Sequence, residues 1–318
     1  MSDLPLIQAD RAVPPPAATT TTGGRGRRLR LLSRTDRVVI TLMVVVPLLL
    51  VLGLVWLPAA ATVLLSGTNW DGIGPVGEID WVGWKNYDDV VHNYPPFVPA
   101  VRHNLLWLAA LFVVATPFGM FLAVLLDKEL RGSRFYQTAL YLPVVLSLAL
   151  VGFIWQLIYS RDQGLLNGVF GGQTDWYGDP DVNIWALLVA AGWRHVGYIM
   201  LLYLAGLKGV DPTLREAAAV DGSSETSTFF RVVFPVMRPI NVIVLVVTVI
   251  ESLRAFDLVW VINKGRNGLE LISALVTQNV VGEASRIGFG SALATIMLAV
   301  SLVFITIYLW TVMREDKR

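Results

Sequence analysis

Acidic and basic residues are absent from four long stretches of the chain, between Arg37 and Asp71, Arg102 and Asp127, Arg134 and Arg161, and Arg286 and Arg314. Each stretch is long enough for the roughly 20 apolar residues that carry a helix across about 30 Å of hydrocarbon. Two further apolar runs are interrupted: 184–207 holds Arg194 and His195, and 240–263 holds Glu251, Arg254 and Asp257. The pattern predicts an all-α integral membrane protein with six transmembrane helices, near 38–64, 104–126, 136–159, 184–207, 240–263 and 288–313. Pro47, Pro58, Pro117 and Pro143 are compatible with it, because neighbouring helices and local distortion re-satisfy the backbone groups a proline frees. The first apolar run follows a polar tail and exceeds the apolar core of a signal peptide, so it is expected to stay in the mature chain.

Composition agrees, with 55% hydrophobic and 15% charged residues in 318 and a mean hydropathy of +0.61. A net charge of +1 excludes a strongly basic nucleic-acid binder. The lack of cysteine excludes disulfides, thiolate metal sites and thiol nucleophiles. With the N-terminus placed inside, the inner segments hold 17 Lys and Arg and the outer segments six, which orients both termini to the cytoplasm. Residues 1–37 read as a disordered basic cytoplasmic tail, with PPP and TTTT runs and few apolar residues. Residues 38–318 read as the membrane domain.

The cytoplasmic segment 208–239 carries structure signals of its own. Asp211-Pro212 offers a capping side chain ahead of a proline at the first helical position, and Thr213-x-x-Glu216 has the form of a capping box. A short helix is expected over 212–221, ending at Gly222, and a second from Ser223 or Ser224 that stops before Pro235. Ala217, Ala218 and Ala219 leave the first helix thin enough for another protein to approach closely. An amphipathic hairpin lying on the membrane surface fits the same spacing.

The stretch EAAAVDGSSETSTFFRVVFP, Glu216 to Pro235, resembles the EAA motif of membrane-spanning subunits of binding-protein-dependent ABC importers. Glu216, Ala217, Ala218, Gly222, Val232, Phe234 and Pro235 stand in register, with Val and Phe replacing the pattern's Ile and Leu. TNWDG (68–72), WVGWKNY (81–87), LPVVLSLALVGFIWQLIYSRDQGLLN (142–167) and Phe256-Asp257 resemble the carbohydrate permeases of the maltose and glycerol-phosphate group, on the larger maltose permease subunit. The resemblance implies a type I importer permease fold in a bacterial inner membrane, with both termini cytoplasmic. It also implies a second homologous permease subunit, two ATPase subunits or one ATPase homodimer, an extracytoplasmic solute-binding protein and a small sugar substrate. The loop is then a coupling helix docked on the ATPase through Glu216, Ala217, Ala218, Asp221, Gly222 and Pro235. With no phosphate-binding G-x-x-x-x-G-K-[ST] loop in the chain, no cofactor is expected here; ATP and Mg are expected on the ATPase.

Ionisable residues inside a membrane usually face a partner or a polar cavity. Arg194, His195 and Tyr198 share one helix face, and Thr248, Glu251 and Ser252 share another. A substrate chamber between these helices, with Trp193, Trp155 and Tyr198 as aromatic walls, is one reading. The other is charge neutralisation, with Glu251 or Asp257 paired to Arg254 or Arg194; for Arg254 and Asp257, three positions apart, pairing is expected. The resemblance adds that Tyr198, Thr248, Ser252 and His195 fall on positions that contact sugar in the family, although a histidine is unusual there. The outer loops hold Trp70, Trp81, Trp84, Tyr87, Trp176 and Tyr177, which suit an interfacial belt in contact with lipid; the resemblance implies that a solute-binding protein docks on the same face. His92, His103 and His195 lie on separate segments, so no metal site is expected, and no catalytic dyad converges. A permease for another solute and an ion-coupled transporter remain the alternatives, the latter without an internal repeat to support it.

Overall fold

A computed structural model of the chain describes residues 33–73, 79–128, 131–282 and 285–315. Residues 1–32 of the expected tail lie outside them. The described residues are helical, without a strand; one isolated bridge joins Thr68 and Trp81. Two compact units divide at Trp56 and Leu57.

The first unit holds helix α1 (Arg34–Val51). It starts four residues before the expected span because Ser33 and Asp36 form a reciprocal capping box, which satisfies two orphan amides. None of its residues is buried, and Val38, Met43 and Leu49 are among the many apolar side chains it exposes. That is the surface of a helix solvated by lipid or by another apolar partner.

The second unit contains α2 (Leu57–Leu65), α3 (Phe97–Asp127), α4 (Ser133–Val145), α5 (Leu148–Ile158), α6 (Asn183–Lys208), α7 (Pro212–Val220), α8 (Glu225–Val236), α9 (Arg238–Leu253), α10 (Asp257–Asn263), α11 (Ile272–Val280) and α12 (Ile287–Glu315). Helix α6 is its axis, packing on α3, α4 and α9. At Gly197 a side-chain carbon would overlap the carbonyl oxygen of Leu140, so α4 lies directly on α6 only because that residue has no side chain. Leu187, Ile199 and Met200 of α6 are fully enclosed, and they anchor the two apolar clusters that run the length of the helix.

Two expected spans are not straight. The span read as 136–159 is the pair α4 and α5, bent by 103°. Leu146 and Ser147 are extended, and the Ser147 hydroxyl caps the new helix by accepting from the Leu150 amide at 3.2 Å. The span read as 240–263 breaks at residues 254–256, between α9 and α10. The Ser273 hydroxyl takes up the freed Ala255 carbonyl, which makes the break tolerable in an apolar setting. Straight helices long and apolar enough to cross a membrane number four among the described residues, and up to six when Ser133–Val145 with Leu148–Ile158 and Glu225–Val236 with Arg238–Asn263 each count as one bent span.

Loop 208–239 folds as two short helices, with differences at their ends. Asp211, rather than Thr213, is the N-cap of α7, accepting from the Thr213 amide at 2.9 Å; the Thr213–Glu216 capping box is not formed, because Pro212 and Thr213 already lie inside the helix. Gly222 adopts φ +76°, and the Ser223 and Gly222 amides return to Ala218 and Ala219 at 3.0 Å, closing α7 as a glycine end does. Ser224 caps α8, which continues through Pro235 to Val236 instead of stopping before it. A wide turn at Phe229–Val233 lets the Phe234 amide reach the Phe229 carbonyl, so the amide-less Pro235 is accommodated. The axis then turns by 77° at Met237.

Candidate functional site

The interrupted runs 184–207 and 240–263 come together as α6 against α9, and their charged residues meet. Arg194 Nη1 lies 3.6 Å from Glu251 Oε2, longer than the roughly 2.7–2.9 Å of a charge-assisted hydrogen bond. Arg194 Nε is buried without a partner. Arg254 and Asp257 form no ion pair with each other among the described residues; the break between α9 and α10 removes the helical spacing that the expectation assumed. Both instead border a small cleft of about 40 Å³ that Arg194, His195, Glu251, Trp107 and Phe256 also line.

Behind the cleft lies a buried polar cluster. His195 is 4% exposed and Thr248 and Ser252 are fully enclosed. The Thr248 hydroxyl donates to Val244 O at 2.8 Å, and the Thr116 hydroxyl donates to Leu111 O at 2.9 Å. Both hydroxyl protons are thereby used, so the 3.1 Å contact between His195 Nε2 and Thr248 Oγ1 requires the imidazole to donate. The hydrogen sits on Nε2, and Nδ1 is left as an acceptor. Ser252 donates to Thr248 O at 2.7 Å, and Asn104 bridges the Ser252 carbonyl (3.3 Å) and the Ile272 amide (3.0 Å), tying α3, α9 and α11 together.

Of the seven residues expected to contact substrate, Arg194, His195 and Glu251 border the cleft; Trp193, Tyr198, Thr248 and Ser252 do not. Tyr198 packs on the apolar cluster around Ile199 and Met200. Trp193 meets Trp155 edge to face at 5.8 Å, and Trp155 in turn tilts against Tyr159 at 4.9 Å; these rings wall one another.

Residues 115–315 match the family described as "Binding-protein-dependent transport system inner membrane component". The chain belongs to this family. It is a membrane-embedded permease of the ABC importers, a transport component and not an enzyme. It is 29% identical over 281 residues to a probable ABC transporter permease protein of Pyrococcus horikoshii, covering 86% of this chain and 95% of the relative. The xylose/arabinose import permease protein XacH of Haloferax volcanii is 30% identical, over 77% of this chain and 79% of the relative. The arabinooligosaccharides transport system permease protein AraP of Bacillus subtilis is also 30% identical, over 71% and 74%. The fold matches a chain of the crystal structure of a bacterial ABC transporter that imports alginate, with a TM-score of 0.75, 17% identity and coverage of 88% and 96%. A second structure of the alginate transporter, in complex with an alginate pentasaccharide-bound periplasmic protein, gives 0.74.

In the permease, Glu216, Ala217, Asp221, Gly222 and Pro235 are all exposed on the α7–α8 hairpin and Ala218 is buried beneath it. Sequence reasoning missed Asn104 and Trp107, whose signals were a lone amide and a lone indole inside an apolar run. It also missed the pairing of Arg215 with Asp127 at 2.7 Å. Among the loop aromatics Trp81 and Trp84 are 69% and 80% exposed. Tyr87 instead hydrogen-bonds Ser66 at 2.6 Å and Trp176 donates to Asn167 at 2.8 Å, so these aromatics divide between exposed rings and loop anchors. No group of three His, Asp or Glu suited to a metal occurs among the described residues.

Proposed function

We propose that the permease forms half of the path of an ATP-driven sugar importer in a bacterial inner membrane. The observation that carries this reading is the charged cleft between α6 and α9, the helices that flank the hairpin bearing the EAA-like residues. Arg194, His195 and Glu251, which line the small cleft, contact the sugar as it widens during transport, through charged hydrogen bonds and the His195 imidazole. Tyr198, Trp193, Thr248 and Ser252 join them when α6 and α9 shift during transport. Relatives named for xylose/arabinose, arabinooligosaccharides and starch degradation products support a carbohydrate.

In this reading 38–318 is the permease domain, with six spans, both termini cytoplasmic and a basic tail over 1–37. Loop 208–239 couples to a separate ATPase that holds ATP and Mg. Glu216 meets a basic residue of that ATPase, Ala217 and Ala218 permit close approach, Asp221 and Gly222 shape the end of α7, and Pro235 shapes the hinge into α9. A second permease completes the chamber. A solute-binding protein delivers sugar to the outer face, where Asp71, Lys85, Asp89 and Arg286 border a cleft of about 310 Å³. ATP binding draws the hairpins together and turns the chamber outward, and hydrolysis lets it return, so that each sugar crosses by alternating access between two states of similar energy.

The test is ATP hydrolysis and uptake by the complete complex in proteoliposomes, with xylose, arabinotriose and maltotriose offered in separate arms. One sugar stimulating hydrolysis and being taken up, insensitive to ionophores, is the expected result. Stimulation by an osmoprotectant or amino acid alone would replace the substrate class. Uptake driven by an ion gradient without ATP would overturn the proposal.

A further inference from the structure

The carboxylate of Asp127, at the end of α3, meets two other elements. Its Oδ2 accepts from Arg215 Nη1 of α7 at 2.7 Å, and its Oδ1 lies 3.7 Å from Lys208 Nζ at the end of α6. Arg215 Nη2 also donates to the Leu207 carbonyl at 3.3 Å, which fastens α7 to α6 directly. The next residue, Lys128, contacts Glu225 Oε2 at the start of α8 at 2.6 Å. The Asp127 side chain is only 10% exposed, against 49% and 85% for Lys128 and Glu225.

Beneath these charges lies an apolar floor drawn from the same elements: Leu126 of α3, Leu207 of α6, Val210, Val233 of α8 and Met237, all buried in one cluster. The floor alone is non-directional and permits sliding. A shielded carboxylate shared by two cations has a defined geometry, and it holds far more strongly than an exposed pair. Without it, Arg215 loses its short carboxylate contact, beside an Arg215 Nε that is already buried without a partner.

We propose that Asp127 is the positioning residue that locks the α7–α8 hairpin to the ends of α3 and α6, so that a push on the hairpin moves these helices as one body. The inference rests on the reading of the hairpin as the ATPase-coupling element, but the lock itself is measurable without that partner. The chain has no cysteine, so Phe121→Cys on α3 and Val220→Cys on α7, exposed by 53% and 88%, give sites for nitroxide labels that are unique on this chain, in a complex whose other subunits are cysteine-free. Double electron–electron resonance on the assembled complex is expected to show one narrow distance, unchanged by ATP with vanadate. Adding Asp127→Asn should broaden or split that distance with or without nucleotide, and Asp127→Glu should restore most of it. The same Asn variant should keep basal ATP hydrolysis while its coupling to uptake falls at least tenfold.

A distance unaltered by Asp127→Asn, or one that changes with ATP and vanadate in the labelled parent, overturns the lock. Should Asp127→Asn fail to assemble, Arg215→Lys keeps the charge and loses the fork; it must broaden the distance, and an unchanged width overturns the lock equally. Failure of the coupling reading looks different: the Val220 label would keep its mobility when the ATPase is added, whatever residue stands at 127.

Discussion

The cleft between α6 and α9 and the cluster under the α7–α8 hairpin use the same chemistry, an arginine against a carboxylate, with opposite geometry. In the cleft Arg194 and Glu251 stand 3.6 Å apart, and Arg254 and Asp257 border the opening unpaired with each other. Under the hairpin Arg215 and Asp127 meet at 2.7 Å with the carboxylate nearly enclosed. A long pair beside an opening exchanges partners at low cost, whereas a short shielded pair resists displacement. The difference suits one region to rearrange around a solute and the other to transmit a force.

The largest expected effect tests whether the cleft is loose in its charges alone. Gly197→Leu drives a side chain into the Leu140 backbone, which cannot yield without moving α4, and should cost about 3 kcal/mol; loss of the folded permease in a detergent melting assay checks it. A smaller cost would mean that the α4–α6 framework also gives way.

Glu251→Ala leaves Arg194 without its carboxylate. Because the two side chains are 23% and 43% exposed, the discounted cost is about 1–2 kcal/mol. Uptake should fall at least tenfold, and Arg194→Met in the same chain should recover the melting temperature but not uptake. Recovery of both would reduce the pair to charge neutralisation.

Gly222→Val forces a β-branched residue to φ +76° in open space, at about 1–2 kcal/mol of backbone strain. Gly222→Asn should cost less, since asparagine tolerates this conformation. The contrast should be read as coupled hydrolysis, because the strain falls on the hairpin and not on the membrane helices.

The smallest effect belongs to the exposed rim. Lys128 donates to Glu225 and holds its carboxyl below the usual carboxylate range. A depressed value means that the tie contributes above the unfolded-state pKa and is lost as pH falls through the folded one, so it stays intact at neutral pH. Lys128→Ala should change stability little there, and raising salt should erase the difference. A large change at pH 7 would show that the rim, not Asp127, carries the lock.

Much of this architecture was legible in one dimension, because membrane insertion and helix capping are local rules. The charge-free runs fall on long apolar helices, and Asp211, Gly222 and Ser224 located both ends of α7 and the start of α8. The bends escaped: Ser147 sits in a run apolar enough to read as continuous, residues 254–256 sit in a run read as one helix despite its charges, and the break at Ala255 survives because Ser273, from another helix, supplies a hydrogen bond. The substrate set was legible by face but not by depth. Thr248 and Ser252 share a face with Glu251, yet they are enclosed by α3 and α6 while Glu251 reaches the cleft.

By itself, then, the sequence determined that this is a membrane protein with a capped helical hairpin and charged residues on the helices flanking it, since transfer energies and cap preferences depend only on neighbours along the chain. The tertiary structure decided which charge each charge meets. Arg194 takes Glu251 from another helix, and Arg215 takes Asp127 from 88 positions away. Such choices depend on how helices pack and where they bend, and no periodicity encodes them.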